Sequence, residues 1–382
     1  MVLEWAPAMT DVVVRPVRTK TDERRFIDFI YTHYRGYPHW VAPLRLERRK
    51  LIDTRKNPFY LHAERELFLA ERAGRVVGRI GAIVNHNHNR RHDDRVGFFG
   101  FFESVDDQAV AAALLEAAGG YLRGRGLNAM RGPASPSVND EYGLLVEGFD
   151  VPPAVMMPYN PPYYAALLEG CGLRKEKDLY AYLGSTESTL AQPKIVRASE
   201  ILKKRSGLTY RSLDMKNFAA DIERLKQVYN RAWQGNWGEV PMTGEEYDAL
   251  ASELKHIVRP ELVVIAETAD GAVAGFGLSL PDINMALRDN RNGGLLRGLW
   301  HLLTRRSRID LCRILVLGVL PEYKRTGAAG VLFYELAARA HGLGYRRGEA
   351  SWILEDNLMM IRAAEAMQAR RYKTYRIYQM GI

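Results

Sequence analysis

The chain has 382 residues, 47% of them hydrophobic, and its 54 Lys and Arg outnumber 45 Asp and Glu to give a formal net charge of +9. That length suits about two domains of 150 to 200 residues, and the positive balance favours an anionic partner, whether a phosphate group, an anionic membrane surface or a nucleic acid. Only Cys171 and Cys312 are present, which excludes a disulfide framework or a Cys-rich metal site and points to a reducing cytosol.

Residues 1–9 carry no basic region and no long apolar run, so no signal peptide is expected there, and no segment approaches the ~20 apolar residues of a membrane span. A soluble or peripheral protein is expected. Val12–Val17 is predicted as a strand and Thr21–Tyr31 as a capped amphipathic helix, followed by an aromatic, proline-rich loop over Tyr34–Pro43. Glu66–Glu71 and Arg75–Val84 form a hairpin turning at Ala73–Gly74, then Val96–Glu103 a strand and Asp107–Gly124 a long helix. His86, His88 and His92 lie among Asn and Arg, and the stretch to Asp94 reads as a solvated loop rather than a metal site.

A strand around Ala129 and Met130, a loop over Gly132–Pro162, a helix over Tyr163–Glu169 and a strand over Asp178–Leu183 follow. Gly184–Gly207 is polar, with a basic helix over Val196–Arg205, and reads as a connector. The same order then restarts: strand Leu208–Leu213, helix Asn217–Trp233, a hairpin of Leu262–Glu267 and Ala272–Leu280, strand Ile314–Leu320, helix Gly330–Ala340, and strands Arg347–Leu354 and Tyr372–Met380. Two copies of one topology are expected. The predicted division is 1–185, a linker at 186–207, and 208–382 with an inserted amphipathic helix at 293–308.

The second copy holds a stretch that reads either as a phosphate-binding turn or as an ordinary βα turn. The apolar strand Ile314–Leu320 stops at Pro321, the small and basic Lys324-Arg325-Thr326-Gly327-Ala328-Ala329-Gly330 follows, and a helix restarts. Unhindered backbone N–H groups at a positive helix end suit a diphosphate. The matching place in the first copy is Ser104-Val105-Asp106-Asp107, whose carboxylates repel phosphate. One phosphate site per chain is therefore expected.

Two further stretches suggest an acceptor. Asn139, Asp140 and Glu141 sit in a polar loop ahead of the apolar Val155-Met156-Met157, an arrangement suited to an amine beside a pocket for an aliphatic tail. A capped loop over the core is the alternative. In 293–308, Leu295, Leu299, Leu302 and Leu303 recur at helical spacing beside Trp300, and arginines gather at the polar edge. Such a helix fits an anionic membrane face, or else packs on its own domain.

Pro321–Ala329 resembles the coenzyme A loop of the GNAT N-acyltransferases, Arg/Gln-x-x-Gly-x-Gly/Ala, with Lys324 in place of the first residue and Gly327 and Ala329 matching. The resemblance implies an α/β chain of two tandem GNAT folds, each a mixed, mainly antiparallel twisted sheet flanked by helices. It also implies that Leu317, Gly318, Val319, Lys324, Arg325, Thr326, Gly327, Ala328, Ala329 and Gly330 hold acyl-CoA, with Asn357 on the pantetheine side. No metal is implied.

In that family the strand after the phosphate strand carries polar groups to the reacting centre. Alternation puts Glu349, Ser351, Ile353 and Glu355 on one face, making Glu349 and Glu355 candidate general bases; the other reading of Glu355-Asp356-Asn357 is a helix cap. The family's proton-donating tyrosine is replaced by Ala364, leaving Tyr372, Tyr375 and Tyr378 as substitutes, with Tyr372 and Tyr378 on one face and Tyr375 on the other.

The loop Gly132–Gly143, Pro158–Tyr164 and the tail Trp352–Tyr378 are similar to a bacterial tandem-GNAT family that includes ceramide synthases. This resemblance implies N-acylation of a long-chain, sphingoid-type amine by acyl-CoA or an acyl carrier protein, at the cytoplasmic face of the inner membrane and without nucleic acid. A Fem-like aminoacyl transferase using aminoacyl-tRNA and a non-catalytic acyl-CoA-binding adaptor are the alternatives.

Overall fold

The computed structural model describes residues 11–382 apart from position 256, so the reading of residues 1–9 lies outside the described residues. The first half runs β1 (Val12–Pro16), α1 (Lys20–His33), α2 (Arg45–Ile52), β2 (Ala63–Arg72), β3 (Arg75–Asn85), α3 (His86–His92), β4 (Val96–Ser104) and α4 (Gln108–Arg123). It continues with β5 (Ala129–Gly132), the two-residue β6 (Ala134–Ser135) and β7 (Glu141–Tyr142), β8 (Leu144–Glu147), α5 (Tyr164–Gly170) and β9 (Arg174–Ser185). Helices α6 (Thr186–Leu190) and α7 (Pro193–Ser206) lead to the second half.

The second half holds β10 (Thr209–Ser212), α8 (Phe218–Trp233), α9 (Gly244–Leu254), β11 (Val263–Glu267), β12 (Val273–Pro281), α10 (Asn284–Leu287) and α11 (Leu295–Thr304). The phosphate strand β13 (Leu311–Val319) comes next, then α12 (Ala328–Gly342), β14 (Arg347–Leu354), α13 (Leu358–Ala366) and β15 (Arg370–Gly381).

Local chemistry explains much of this. Thr19 and Asp22 form a reciprocal capping box at the start of α1. The β2–β3 turn puts Ala73 (φ 47°) and Gly74 (φ 75°) in the left-handed region, the backbone twist a tight hairpin needs. The stretch read as a loop over 86–94 instead forms α3, because Asn85 Oδ1 accepts the His88 N–H at 3.1 Å and starts a helix. His88 is buried, and burial pulls its pKa down to about 4. Helices α2 and α9 lie where no element is assigned from sequence. In α2, Leu46, Leu51 and Ile52 stand among five charged residues, too few turns for a period to emerge.

The two tandem folds join into one sheet, in the order β1-β2-β3-β4-β5-β15-β9-β14-β13-β12-β11-β10, with β8 added beside β15. The halves exchange their last strands. β9 of the first half pairs with β14, and β15 of the second half pairs with β5. Each half's sheet is thus completed by hydrogen bonds from the other, and separation would break both ladders.

Apolar helices cover the faces. Helices α4 and α5 pack Leu114, Leu115, Ala118 and Leu168 on the first half, while α12 packs Leu332 and Leu336 on β11–β13. Helix α8 covers the opposite face of the second half with Leu225 and Val228.

Candidate active site

Parallel strands meet at the centre of each half, and the two junctions differ. In the second half, β13 and β14 are paired only at Leu311–Ile314 with Arg347–Ala350 and then part. From Val316 to Val319, Leu317 and Gly318 included, β13 keeps β12 on one edge while β14 has left the other. In the first half, β4 and β5 pair over Val96–Phe98 with Ala129–Arg131, but the chain beyond β5 stays against β4. The Phe101 N–H donates to Ser135 Oγ at 2.8 Å, and a Cβ on Gly100 would lie 1.7 Å from the Ala134 carbonyl. That opening is filled by the protein's own chain.

The helix ends beyond the two junctions differ as well. Asp107 caps α4, accepting from Ala109 N at 2.8 Å and pairing with Arg72 at 2.8 Å. The Arg72 hydrogen bond, opposed by partial burial, pulls its carboxyl down. An anion would meet a carboxylate there. At α12 the preceding residue is Gly327 (φ +84°), which gives no side-chain cap; a Cβ would fall in the left-handed region and 2.7 Å from Leu202. Thr326 Oγ1 accepts the Ala328 N–H at 3.2 Å, Gly330 has open space around it, and Lys324 and Arg325 are exposed. Leu317 to Gly330 thus form a strand edge, a basic turn and a helix N-terminus suited to phosphate.

At the point where β13 and β14 part lies a buried polar cluster. Glu349 is fully buried; its Oε1 accepts from Ser351 Oγ at 2.5 Å and its Oε2 accepts from the Tyr372 hydroxyl. Arg313 donates through Nε to Ser351 Oγ at 2.9 Å and through Nη1 to the Val155 carbonyl at 2.8 Å, and its Nε lies 3.8 Å from Glu349. Burial, with the nearby Glu349 charge, pushes Asp282 up to about 7. The hydroxyl of Tyr375 and Nε1 of Trp352 are buried without a partner among the described residues.

Bulges change which candidates meet. Tyr372 falls at a register shift between Arg371 and Lys373, so it reaches the Glu349 side together with Tyr375 and not the face of Tyr378. Tyr378 donates to Glu169 at 2.8 Å in the α4–α5 core instead. A second shift between Ala350 and Ile353 breaks the alternation expected from Glu349 to Glu355. Ile353 joins the apolar cluster of Ala350, and Glu355 lies beyond β14, accepting from Lys175 at 2.6 Å and from the Asp178 N–H. Asn357 accepts the Met360 N–H at 3.2 Å and caps α13.

A cavity of about 760 Å³ lies between the first half and α9–α10, and Asn139, Asp140, Glu141, Met156 and Met157 all line it. Its wall reaches the polar cluster, since Met157 Sδ is 3.5 Å from Ser351 Oγ. Asp140 accepts from Ser137 at 2.6 Å, and burial pushes its carboxyl up to about 7 against that hydrogen bond. Glu141 pairs with Arg48 at 2.6 Å. Lys373 donates to the Val151 carbonyl at 2.8 Å and holds the loop ahead of Met156; burial pulls it down to about 8. Trp300 is 58% exposed on α11, outside the cavity lining.

Sequence reasoning missed several members. Arg313 precedes the strand expected over Ile314–Leu320 but lies inside β13 and is buried; its one signal is an arginine inside an otherwise apolar run. Tyr34, Arg79 and Glu103 also line the cavity, and the Tyr34 and Tyr164 hydroxyls donate to Glu103 at 2.7 and 2.8 Å. Arg79 offers a comparable clue, a charge midway along a buried strand.

No family model matches the chain. It is 37% identical over 380 residues to the bacterial ceramide synthase of Caulobacter vibrioides, covering 97% of this chain and 98% of that protein. It is 35% identical over 377 residues to protein YghO of Escherichia coli K12, covering 97% and 95%. Among solved structures, a tandem GNAT protein from the clavulanic acid biosynthesis pathway superposes with a TM-score of 0.56 at 12% identity, covering 97% of this chain and 98% of that one. A GCN5-related N-acetyltransferase from Sphaerobacter thermophilus gives 0.53 at 12% identity over 97% and 96%. The halves share the fold of these structures, and near-full-length identity above 30% supplies the relationship: the chain belongs to the tandem-GNAT N-acyltransferase family that includes the bacterial ceramide synthase, and it is an N-acyltransferase.

Proposed function

We propose that the protein transfers an acyl group from acyl-CoA to the amine of a long-chain, sphingoid-type base, forming a ceramide-type amide. The observation that carries this reading is the cavity, with room for an aliphatic tail beside a head group, lined by Met156 and Met157 and by the acids Asp140 and Glu141, and touching the polar cluster at Ser351. The name of the 37% identical Caulobacter protein supports the same acceptor class.

In this reading the CoA diphosphate lies on the 324–330 turn, and the pantetheine runs along the open edge of β13 toward Arg313. An acyl carrier protein would present the same pantetheine thioester. The first half, with Asp107 on its helix end and Ser135 in its junction, takes no second CoA.

The neutral amine nitrogen attacks the thioester carbonyl carbon. The C–N bond forms, the C–S bond breaks, the nitrogen gives up a proton and the thiolate takes one. No covalent enzyme intermediate is required. Glu349 is the base, relayed through Ser351 or Tyr372, because the carboxylate itself is buried behind them. Tyr375, whose buried hydroxyl has no partner among the described residues, is the proton donor to the thiolate. Asp140 receives the ammonium form of the head group before it is deprotonated.

Such an acceptor is a membrane lipid, so the protein works peripherally at the cytoplasmic face of the inner membrane. Among the described residues no helix is long and apolar enough to cross it. Comparing lipids of cells with and without the chain tests this function: N-acylated long-chain bases should disappear with it, with the free base accumulating. An unchanged lipid profile in cells that make such bases would count against it.

A further inference from the structure

Helix α11 is built inside out. Its buried positions are Gly298 and His301, whereas Leu295, Leu296, Leu299, Trp300 and Leu303 are 43%, 83%, 47%, 58% and 83% exposed. These five fall at i, i+1, i+4, i+5 and i+8, a single stripe turned away from the protein. A helix that packed on its own domain would bury its leucines and expose its histidine. Arginines surround the stripe. Arg305 is paired to Asp289, while Arg288, Arg297, Arg306 and Arg308 are exposed and have no carboxylate within ion-pair distance among the described residues.

The inner side of α11 backs onto the cavity. A Cβ on Gly298 would lie 2.9 Å from Leu44 and 3.6 Å from Leu287, both of which line the cavity. Arg45 N donates to the Gly293 carbonyl at 2.9 Å and fixes α2 to the start of α11. Leu46, also in the lining, is 46% exposed, so an exposed part of the cavity lining lies on α2 next to α11.

We infer that the outer face of α11 is a docking surface for an anionic lipid bilayer, and that it seats the cavity mouth at Leu46 against the membrane so that the amine passes from bilayer to cavity without crossing water. The apolar stripe with an interfacial tryptophan would enter the acyl boundary, and the arginine rim would meet acidic headgroups. The docking face stands on α11 alone; the passage of the amine rests on the proposed function.

The test uses the full chain and vesicles of phosphatidylglycerol and phosphatidylcholine in equal amounts, with pure phosphatidylcholine for comparison. The wild type should co-float with the anionic vesicles and much less with the neutral ones. The double variant Leu296→Glu, Leu303→Glu should lose vesicle affinity by roughly 100-fold or more. It should turn over long-chain amine slowly from vesicles but normally from detergent micelles. Should that variant misfold, Arg306→Glu with Arg308→Glu supplies the second arm and should lose the preference for anionic vesicles.

Wild type that ignores both vesicles, variants that float like wild type, or a self-associated wild type that the leucine changes turn into monomers with no effect on flotation would each overturn the docking. Normal flotation lost in the variants, with no turnover of any long-chain amine in micelles, would uphold docking and remove the proposed acceptor.

Discussion

Ser351 Oγ donates a 2.5 Å hydrogen bond to Oε1 of Glu349, and both side chains are buried where β13 and β14 part. Arg313 shares the same serine oxygen, so charge and hydroxyl are interlocked. Glu349→Gln is expected to lower kcat by ~10²–10⁴ as the loss of a general base. It also leaves the Arg313 guanidinium buried without its counter-charge, at about 3–5 kcal/mol. Ser351→Ala keeps both charges and should cost about 1–3 kcal/mol. Thermal melts read the stability order, and single-turnover kinetics should show the large loss of rate in Glu349→Gln.

Asp140 gives a pH dependence with a definite sign. Its folded pKa is raised to about 7 from an ordinary carboxyl value, chiefly by burial. The folded state therefore holds a proton that the unfolded chain has released, and the stabilisation, full below pH ~4, is lost as pH rises to about 7. Asp140→Asn should flatten that part of the stability curve. In the proposed role, KM for the amine should rise below pH ~7 in the wild type and be high at all pH in the variant, with the melts and KM measured side by side.

The two helix ends should respond differently to substitution. Ala329→Glu places a carboxylate at the α12 N-terminus and should weaken CoA binding by about tenfold or more. Asp107→Ala removes the α4 cap, costing about 1 kcal/mol of stability, and should leave CoA affinity unchanged. Calorimetry on the wild type should give one CoA per chain; two would contradict the filled first-half junction.

Met156 reads out the tail. Met156→Ala should raise KM for a long-chain amine by roughly tenfold, the worth of about two buried methylenes, while a short-chain amine keeps its KM. Equal effects on both would remove Met156 from the tail path.

Features carried by neighbouring residues are legible in the sequence: the Ala73–Gly74 turn, the amphipathic helix α1, whose capping box nevertheless starts at Thr19 and not at Thr21, and the strand, turn and helix around Gly327. The repeat of βαβββα is local too, and it yields the tandem GNAT fold. The strand exchange was not legible, because β5 accepts β15 or β9 with the same alternating pattern and only the assembled sheet decides between them. Tyr372 lies on the face opposite to the one that strict alternation predicts, because one bulged residue inverts the alternation, and nothing in Arg371-Tyr372-Lys373 announces it. Arg48, Arg79 and Glu103 come from three separate elements, and only tertiary packing brings them together in the cavity lining. The stripe on α11 was visible as a period, but a period does not say whether it faces inward or outward.

The most direct measurement combines purified protein, a long-chain acyl-CoA and a sphinganine-like base in detergent, following free CoA and the amide product by mass spectrometry. The expected result is an N-acylated long-chain base formed in equal amount with CoA. Turnover of small polyamines with none of any long-chain amine would contradict it.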